Sequence, residues 1–385
     1  MLVFKILFKN LFRHKLRTFL TIIGVAVAVL AFGLLKTIIA AWYYGVQGSA
    51  ANRLIVRHAV AFIFPLPISY QDKIARVPGV TRVSHATWFQ GTYIDMQHFF
   101  PRMAVDPKTY FKLYPEFLVS QQEMADFLRE RSACIIGAKI AKQYKLKIGD
   151  IIPITGDIYP GNWEFTVRGI YYGKYEYTDQ TQLLFQWDYL EQQLRQVTPG
   201  RAGYIGWYVV WIDNADNAAA ISQSIDNLFK NSTAETTTET EKAFQQSFVS
   251  LSSAIITAIE VISYLIVGII LLVLGNTMIM TARERMTEFA VLRTLGFGAF
   301  KVAGLILGEA LVISCLGGAI GLFLTFPIIG AVAASLSNFF PVFKIETSTL
   351  LMIISLGIIV GISSSIIPIH RAVTIRIVDA LRQIE

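Results

Sequence analysis

Charged side chains are scarce in this 385-residue chain. Asp, Glu, Lys and Arg make up 16% of it, against about 25% in an ordinary soluble domain. Cysteine is scarcer still. Cys134 lies outside the apolar runs and Cys315 inside one, so no disulfide is expected between them and the redox compartment is not legible. Catalytic signatures are missing too. No GxxxxGK[ST] cradle for phosphate occurs, and neither GxSxG nor HExxH is present. His58, His85 and His98 form no close pair at metal-ligand spacing, so no metal site is expected. Asp72, Asp95, Asp106 and Glu116 could supply a carboxylate pair, but solvated surface charge is the simpler reading. The net charge is +7, yet no arginine-rich tail or basic patch with interleaved aromatics accompanies it, so no nucleic-acid partner is expected. No residue is assigned a catalytic role, and no cofactor is expected in this chain.

What is present is apolar: 54% of residues are hydrophobic and the mean hydropathy is +0.51. Four runs, 18–43, 251–281, 301–332 and 348–368, reach the roughly 20 residues that cross a hydrocarbon core of about 30 Å. They predict four transmembrane helices. Lys36 and Glu260 lie close enough to span ends to snorkel. The first run lacks a clear cleavage site and reads as an anchor. Basic residues gather before the first span (Lys5, Lys9, Arg13, Lys15, Arg17), between the second and third (Arg283, Arg285, Arg293, Lys301), and after the fourth (Arg371, Arg376, Arg382). The short connection 333–347 has only Lys344, offset by Glu346. The positive-inside rule therefore places both termini, the 282–300 connection and the 369–385 tail in the cytoplasm. Residues 44–250 then lie outside. Within 1–17, LVFKILFKNLFR (2–13) sets Lys5, Lys9 and Arg13 opposite Phe4, Leu7, Phe8 and Leu11, an amphipathic helix for the headgroup plane of membrane lipid.

The excursion 44–250 reads as a large α+β domain. Strands are expected at 53–60, 80–89, 165–172 and 204–212, and helices at 69–77 and after Asp213. IIGAKIAKQYKLKIGDIIPI (135–154) suggests a helix, a turn at Gly149-Asp150 and a strand. Residues 119–202 could be an inserted subdomain, and the threonine-rich 232–241 reads as a linker. In the spans, Gly24/Ala28, Gly304/Gly308, Gly317/Gly321 and Gly357/Gly361 stand four apart, a spacing that lets helix backbones approach closely. Glu309, inside the third run, needs a protein partner or a polar cavity, because a carboxylate at a helix centre costs about 2.5–3.5 kcal/mol on insertion scales. It could serve a buried hydrogen bond or a proton or coupling role.

Between the second and third runs lies RERMTEFAVLRTLGF (283–297). Its order is helical: Glu284 and Glu288 early, Arg293 late, Arg285 and Glu288 three apart, and Gly296 placed to stop the helix. NTMIMTARERMTEFAVLRTLGF (276–297) resembles the motif of FtsX-like permeases, the membrane subunits of ABC transporters that include macrolide exporters and lipoprotein-release permeases. Asn276, Met278, Arg285, Glu288, Arg293 and Gly296 carry the match. LGEALVISCLGGAIG (307–321), with Glu309, Gly317, Gly318 and Gly321, and PIHRAVTIRIVDALR (368–382) agree with it. Asp379 stands where Glu is usual, and Arg376-Ile377 where proline is common. IARVPGVTRVSHA and IIGAKIAKQYKLKIGD resemble the periplasmic core of the macrolide-exporter branch.

The resemblance implies a permease of the bacterial inner (plasma) membrane that dimerises with a second copy or a paralogue. It implies a separate ABC ATPase that binds the ATP and Mg, docked or braced by Arg285, Glu288 and Arg293, with Gly296 permitting the turn. ATPase motion would pass to the external domain and drive export or efflux, with an external adaptor and an outer-membrane channel as further expected partners. Two alternatives stay open: a signalling transducer that activates an external cell-wall hydrolase, and a lipoprotein- or lipid-extracting permease.

Overall fold

Four long helices take up the four apolar runs, and an α+β domain fills the excursion between the first and second. The computed structural model describes residues 14–96, 98–336, 340 and 342–374, which divide into two units. The amphipathic helix expected at 2–13, and the C-terminal positions Arg376, Asp379 and Arg382, lie outside the described residues.

In chain order, α1 (Lys15–Gln47) leads to β1 (Arg53–His58), β2 (Leu66–Pro67), α2 (Tyr70–Ala75) and β3 (Val80–Trp88). There follow β4 (Gly91–Thr92), β5 (Arg102–Val105), α3 (Tyr110–Leu113), β6 (Phe117–Leu118), α4 (Gln121–Arg129) and β7 (Ala133–Gly137). Next come α5 (Ala138–Tyr144), β8 (Ile151–Gly156), β9 (Gly161–Gly173), β10 (Leu183–Gln186), α6 (Trp187–Val197) and β11 (Tyr204–Ile205). The external unit ends with β12 (Trp207–Ile212), α7 (Ala218–Leu228), β13 (Thr236–Thr240) and α8 (Glu241–Leu251). The remaining helices are α9 (Ser253–Glu284), α10 (Met286–Thr294), α11 (Ala299–Leu336) and α12 (Thr347–Thr374).

The external sheet begins β13-β1-β12-β3, all antiparallel, with α2 and α7 as crossovers: a split βαβ arrangement. Leu54 pairs with Val210 on one side and Thr240 on the other. Period-2 alternation sorts the side chains. Leu54, Val56, Tyr208 and Val210 pack under Ile74 of α2 and Ile221 of α7. Ile55, Trp207 and Val209 point to the other face, with Tyr110, Phe127 and Phe244 from α3, α4 and α8. By strand order everything from 89 to 206 is inserted between β3 and β12, a wider stretch than 119–202. It extends the sheet through β5, β10, β7, β9 and β8 to β4. Only Phe89 and Gln90 separate β3 from β4, yet β4 pairs with β8 at the far end, so the sheet curls back on itself. Aromatic rings fill the curl, with Phe89 5.1 Å from Trp163 and 5.2 Å from Phe185.

One expectation is overturned. The polar stretch 232–241 is not a linker over its second half, because Thr236–Thr240 forms an edge strand on β1. Threonine is β-branched and suits a strand. Thr236 and Thr238 face inward, and their hydroxyls donate to Asp226 at 2.8 and 2.7 Å, so the core side of this polar strand is satisfied.

His85 on β3 is buried, with Nδ1 3.0 Å from Gln71 Oε1 and its ring edge-on to Trp187 at 5.0 Å. Burial pulls its pKa from 6.5 down to about 4, with Asp106 opposing. Between those values the unfolded chain binds a proton that the folded chain refuses, so stability is present above about pH 6.5 and lost as pH falls towards 4. The whole shift corresponds to up to about 3 kcal/mol. His85→Gln is expected to flatten this acid dependence. Thermal unfolding of the full chain at pH 7 and pH 4.5 checks it, and an unchanged difference in the variant would place the sensitivity elsewhere.

In the membrane unit, α1 and α9 run antiparallel. Arg17 grips Glu284 with two bonds of 2.8 and 2.7 Å, Thr21 meets Thr277 at 3.4 Å, and Lys36 meets Glu260 at 3.3 Å. Glycines set other crossings. A Cβ added at Gly317 would stand 2.7 Å from Val25 Cβ, and one at Gly321 would stand 2.5 Å from Ala26 O, so the close approach of α11 to α1 at these positions requires glycine. Gly361 of α12 does the same against Ser314 and Leu311 of α11. Span hydroxyls bond their own helix: Thr37 to Gly33 O and Thr325 to Gly321 O, both at 2.7 Å.

Candidate functional site

The connection between α9 and α11 concentrates the polar chemistry of the membrane unit. α9 stops because Arg285 leaves helical geometry at φ −107° and ψ 12°. The chain restarts at once as α10, which turns Met286, Phe289 and Ala290 inward. The helix ends in a Schellman turn: Gly296 N–H donates to Arg293 O at 3.1 Å and Phe297 N–H to Leu292 O at 3.0 Å. Gly296 sits at φ +86°, where a Cβ is strained.

Arg285 is buried. Its Nη1 donates to Glu309 Oε2 at 2.9 Å, its Nε to Glu288 Oε2 at 3.2 Å, and its guanidinium lies 5.1 Å from the Phe289 ring centre. Arg293 turns the other way, and its Nη1 donates to Val373 O at 3.2 Å, in the last turn of α12. α10 is thus held to α9 by the chain, to α11 by an ion pair, and to α12 by a hydrogen bond. Its outer side carries exposed Val291 and Leu295, with exposed Phe300 following at the start of α11.

The structure therefore brings Arg285, Glu288 and Glu309 into one cluster and sets Arg293 and Gly296 at the far end of the same short helix. Arg285 points into the bundle, where its guanidinium is bonded to Glu309 and Glu288. Of the small-residue positions, Gly317, Gly321 and Gly361 sit at tight helix contacts, and Gly357 lies at ordinary distance, 3.9 Å, from Ser314 O. Gly308 is half-buried in α11. Gly24 and Gly304 have nothing within 4 Å of an added Cβ. In the external unit, Glu116, Asp106 and Asp95 each have local work. Glu116 pairs with Arg53 at 2.7 Å, Asp106 binds Thr109 and the Lys108 N–H, and Asp95 meets His98 at 2.6 Å.

Two constellations were not legible. Arg17 and Glu284 are 267 residues apart and left no local trace. Arg53, at the head of β1, is buried and fully engaged: Nε with Glu241 Oε2 at 2.7 Å, Nη1 with Leu113 O at 2.6 Å, Nη2 with Glu116, and its face 3.9 Å from the Tyr114 ring centre.

This layout can be set beside known proteins. The FtsX-like permease C-terminal family matches residues 260–377, and the MacB-like periplasmic core domain matches 18–228. An uncharacterized ABC transporter permease of Methanocaldococcus jannaschii is 23% identical, over 97% of this chain and 96% of its own length. The solved periplasmic region of MacB from Actinobacillus actinomycetemcomitans, at 12% identity and a TM-score of 0.38, covers 53% of this chain and 95% of that region. The extracellular domain of the noncanonic ABC-type transporter YknZ from Gram-positive bacteria, at 14% identity and a TM-score of 0.35, covers 49% of this chain and 99% of that domain. The first family match spans the last three apolar helices with α10, and the second spans α1 and most of the external unit. The chain belongs to this family: it is a multi-pass ABC transporter permease of the FtsX/MacB type.

Proposed function

We propose that this permease transmits the work of a separate ABC ATPase to its external domain and so drives export. Supporting this reading, one short helix carries contacts to three of the four spans. A push on α10 would reach α11 through Arg285–Glu309, α12 through Arg293–Val373, and α9 through the chain itself. The orientation that basic flanking residues favour puts α10 and both termini in the cytoplasm and the α+β unit outside. ATP and Mg would be held by the ATPase. Exposed Val291, Leu295 and Phe300 offer that partner an apolar seat, and half-buried Glu288 sits on the rim of the pinned cluster. Gly24 and Gly304, with open space before them, suit close approach of a second copy or a paralogue. An external adaptor would then continue the path outward.

Glu288→Lys tests the docking assignment. Arg285 keeps Glu309, so the variant is expected to insert and fold, yet to co-purify poorly with its ATPase and to lose stimulated turnover. Full recovery of the complex with full activity would reject Glu288 as a docking residue.

A further inference from the structure

The second face of the external sheet is only partly roofed. α8 lies over β1 and β13 at one end, α4 over β7 and β9 towards the other, and α3 against β3 and β12, and beside these helices lies a cavity of about 950 Å³. That is at the upper end of the roughly 300–1,000 Å³ typical of small-molecule sites. Its floor runs from Ile55 on β1 across Trp207, Trp88 and Met103 to Gln182 beside β10. Those five neighbouring strands span about 19 Å at the usual strand spacing of roughly 4.8 Å, so the site is a trough and not a compact pit.

The chemistry of the lining is one-sided. Phe62, Phe117, Phe244 and Phe248 form walls, and the lip carries Phe64 and Ile63, the latter 83% exposed. The one carboxylate in the lining, Glu241, is already bound by Arg53. Gln182 is different. Its Nε2 donates to Asp179 at 2.7 Å, but its Oε1 is buried with no protein partner. That oxygen is enclosed by protein and does not open on the cavity, so the head of a ligand is left to the cationic side of the mouth. Arg201, exposed at the mouth, adds a cationic contact.

We infer that this trough binds an amphiphile with a long alkyl chain, the chain lying over Trp88 and Trp207 and the anionic oxygens of the head meeting Arg201. The site deepens the permease reading by naming a ligand class for its external unit. Binding itself needs neither ATPase nor nucleotide, so a test on the full chain alone can fail without touching the coupling proposal.

The full-length protein in lipid nanodiscs is exposed to palmitate bearing a diazirine, and separately built into nanodiscs whose phosphatidylcholine carries the same group. After irradiation, adducts are mapped by peptide mass spectrometry. Adducts on the segments holding Phe62–Phe64, Trp88 or Phe248 are expected. Labelling by the free acid assigns a soluble amphiphile, and labelling only by the phospholipid assigns the bilayer as source. Phe248→Glu and Phe64→Glu, both at exposed positions, place charge in the apolar mouth and should raise the half-saturating probe concentration about tenfold. Met103→Trp should do the same by filling the floor. Adducts confined to the four spans, unchanged labelling in all three variants, or a trough protected by a second copy and unlabelled would each overturn the proposal.

Discussion

Arg285→Ala is expected to destabilise the membrane unit by about 3–5 kcal/mol, because it strands the buried Glu309 carboxylate without its partner. Glu309→Ala should cost a similar amount by stranding the guanidinium, although Glu288 then keeps one bond to it. Removing both charges is the informative case. Arg285→Met with Glu309→Met leaves no uncompensated ion, so the double variant should lose much less than the two single losses added. Thermal unfolding of the purified full chain in one detergent measures all three. The same variants separate holding from transmission. If the double variant regains stability but not ATPase-coupled activity, the pair carries force. If activity returns with stability, the pair only holds α10 in place. Single variants that unfold with the unmodified protein would mean that the 2.9 Å contact contributes nothing.

The reach of sequence reasoning follows from the range of each signal. The spans declare themselves by composition over about 20 residues. α10 declares itself within one window, through charge order and the Gly296 stop, because caps and i,i+3 pairs are local. Glu309 announces a need for a partner, and Arg285 was in view, but nothing local joined residues 24 apart. β1 and β12 were legible as strands from their β-branched and aromatic content, whereas their pairing of Leu54 with Val210 was not. That register depends on which faces α2, α7 and α8 cover. The same limit hid the insertion's true extent: β4 is two residues long, and only its pairing with β8 shows where the curl closes. Thr236–Thr240 is polar like a linker but β-branched like a strand, and the acceptor that satisfies its hydroxyls, Asp226, lies on a different element and leaves no local mark. The trough has no sequence mark at all, since its aromatics come from six separate segments.

Arg53→Met is expected to be the most damaging single change in the external unit, at about 3–5 kcal/mol. Arg53 stands six residues after α1 ends and Glu241 opens α8, which leads to α9 after one residue, so their bond clamps the two chain segments that join this unit to the spans. The loss should depend on pH with a definite sign. Burial holds the Glu241 carboxyl above the ordinary carboxylate range, with Arg53 pulling it back. A carboxyl raised on folding favours the folded state at low pH, and that contribution disappears as pH rises through its folded value. Removing Arg53 takes away the counter-pull and raises that value further. The Arg53→Met deficit should therefore be larger at pH 8 than at pH 5, and Glu241→Gln in the same background should recover most of it by removing the ion. Arg53→Lys should recover little, because an ammonium cannot span Glu241, Glu116 and Leu113 O as a planar fork does. Unfolding curves of the full chain at the two pH values decide this. A deficit that is flat with pH and untouched by Glu241→Gln would mean that the loss comes from packing against Tyr114, with the charge contact adding nothing.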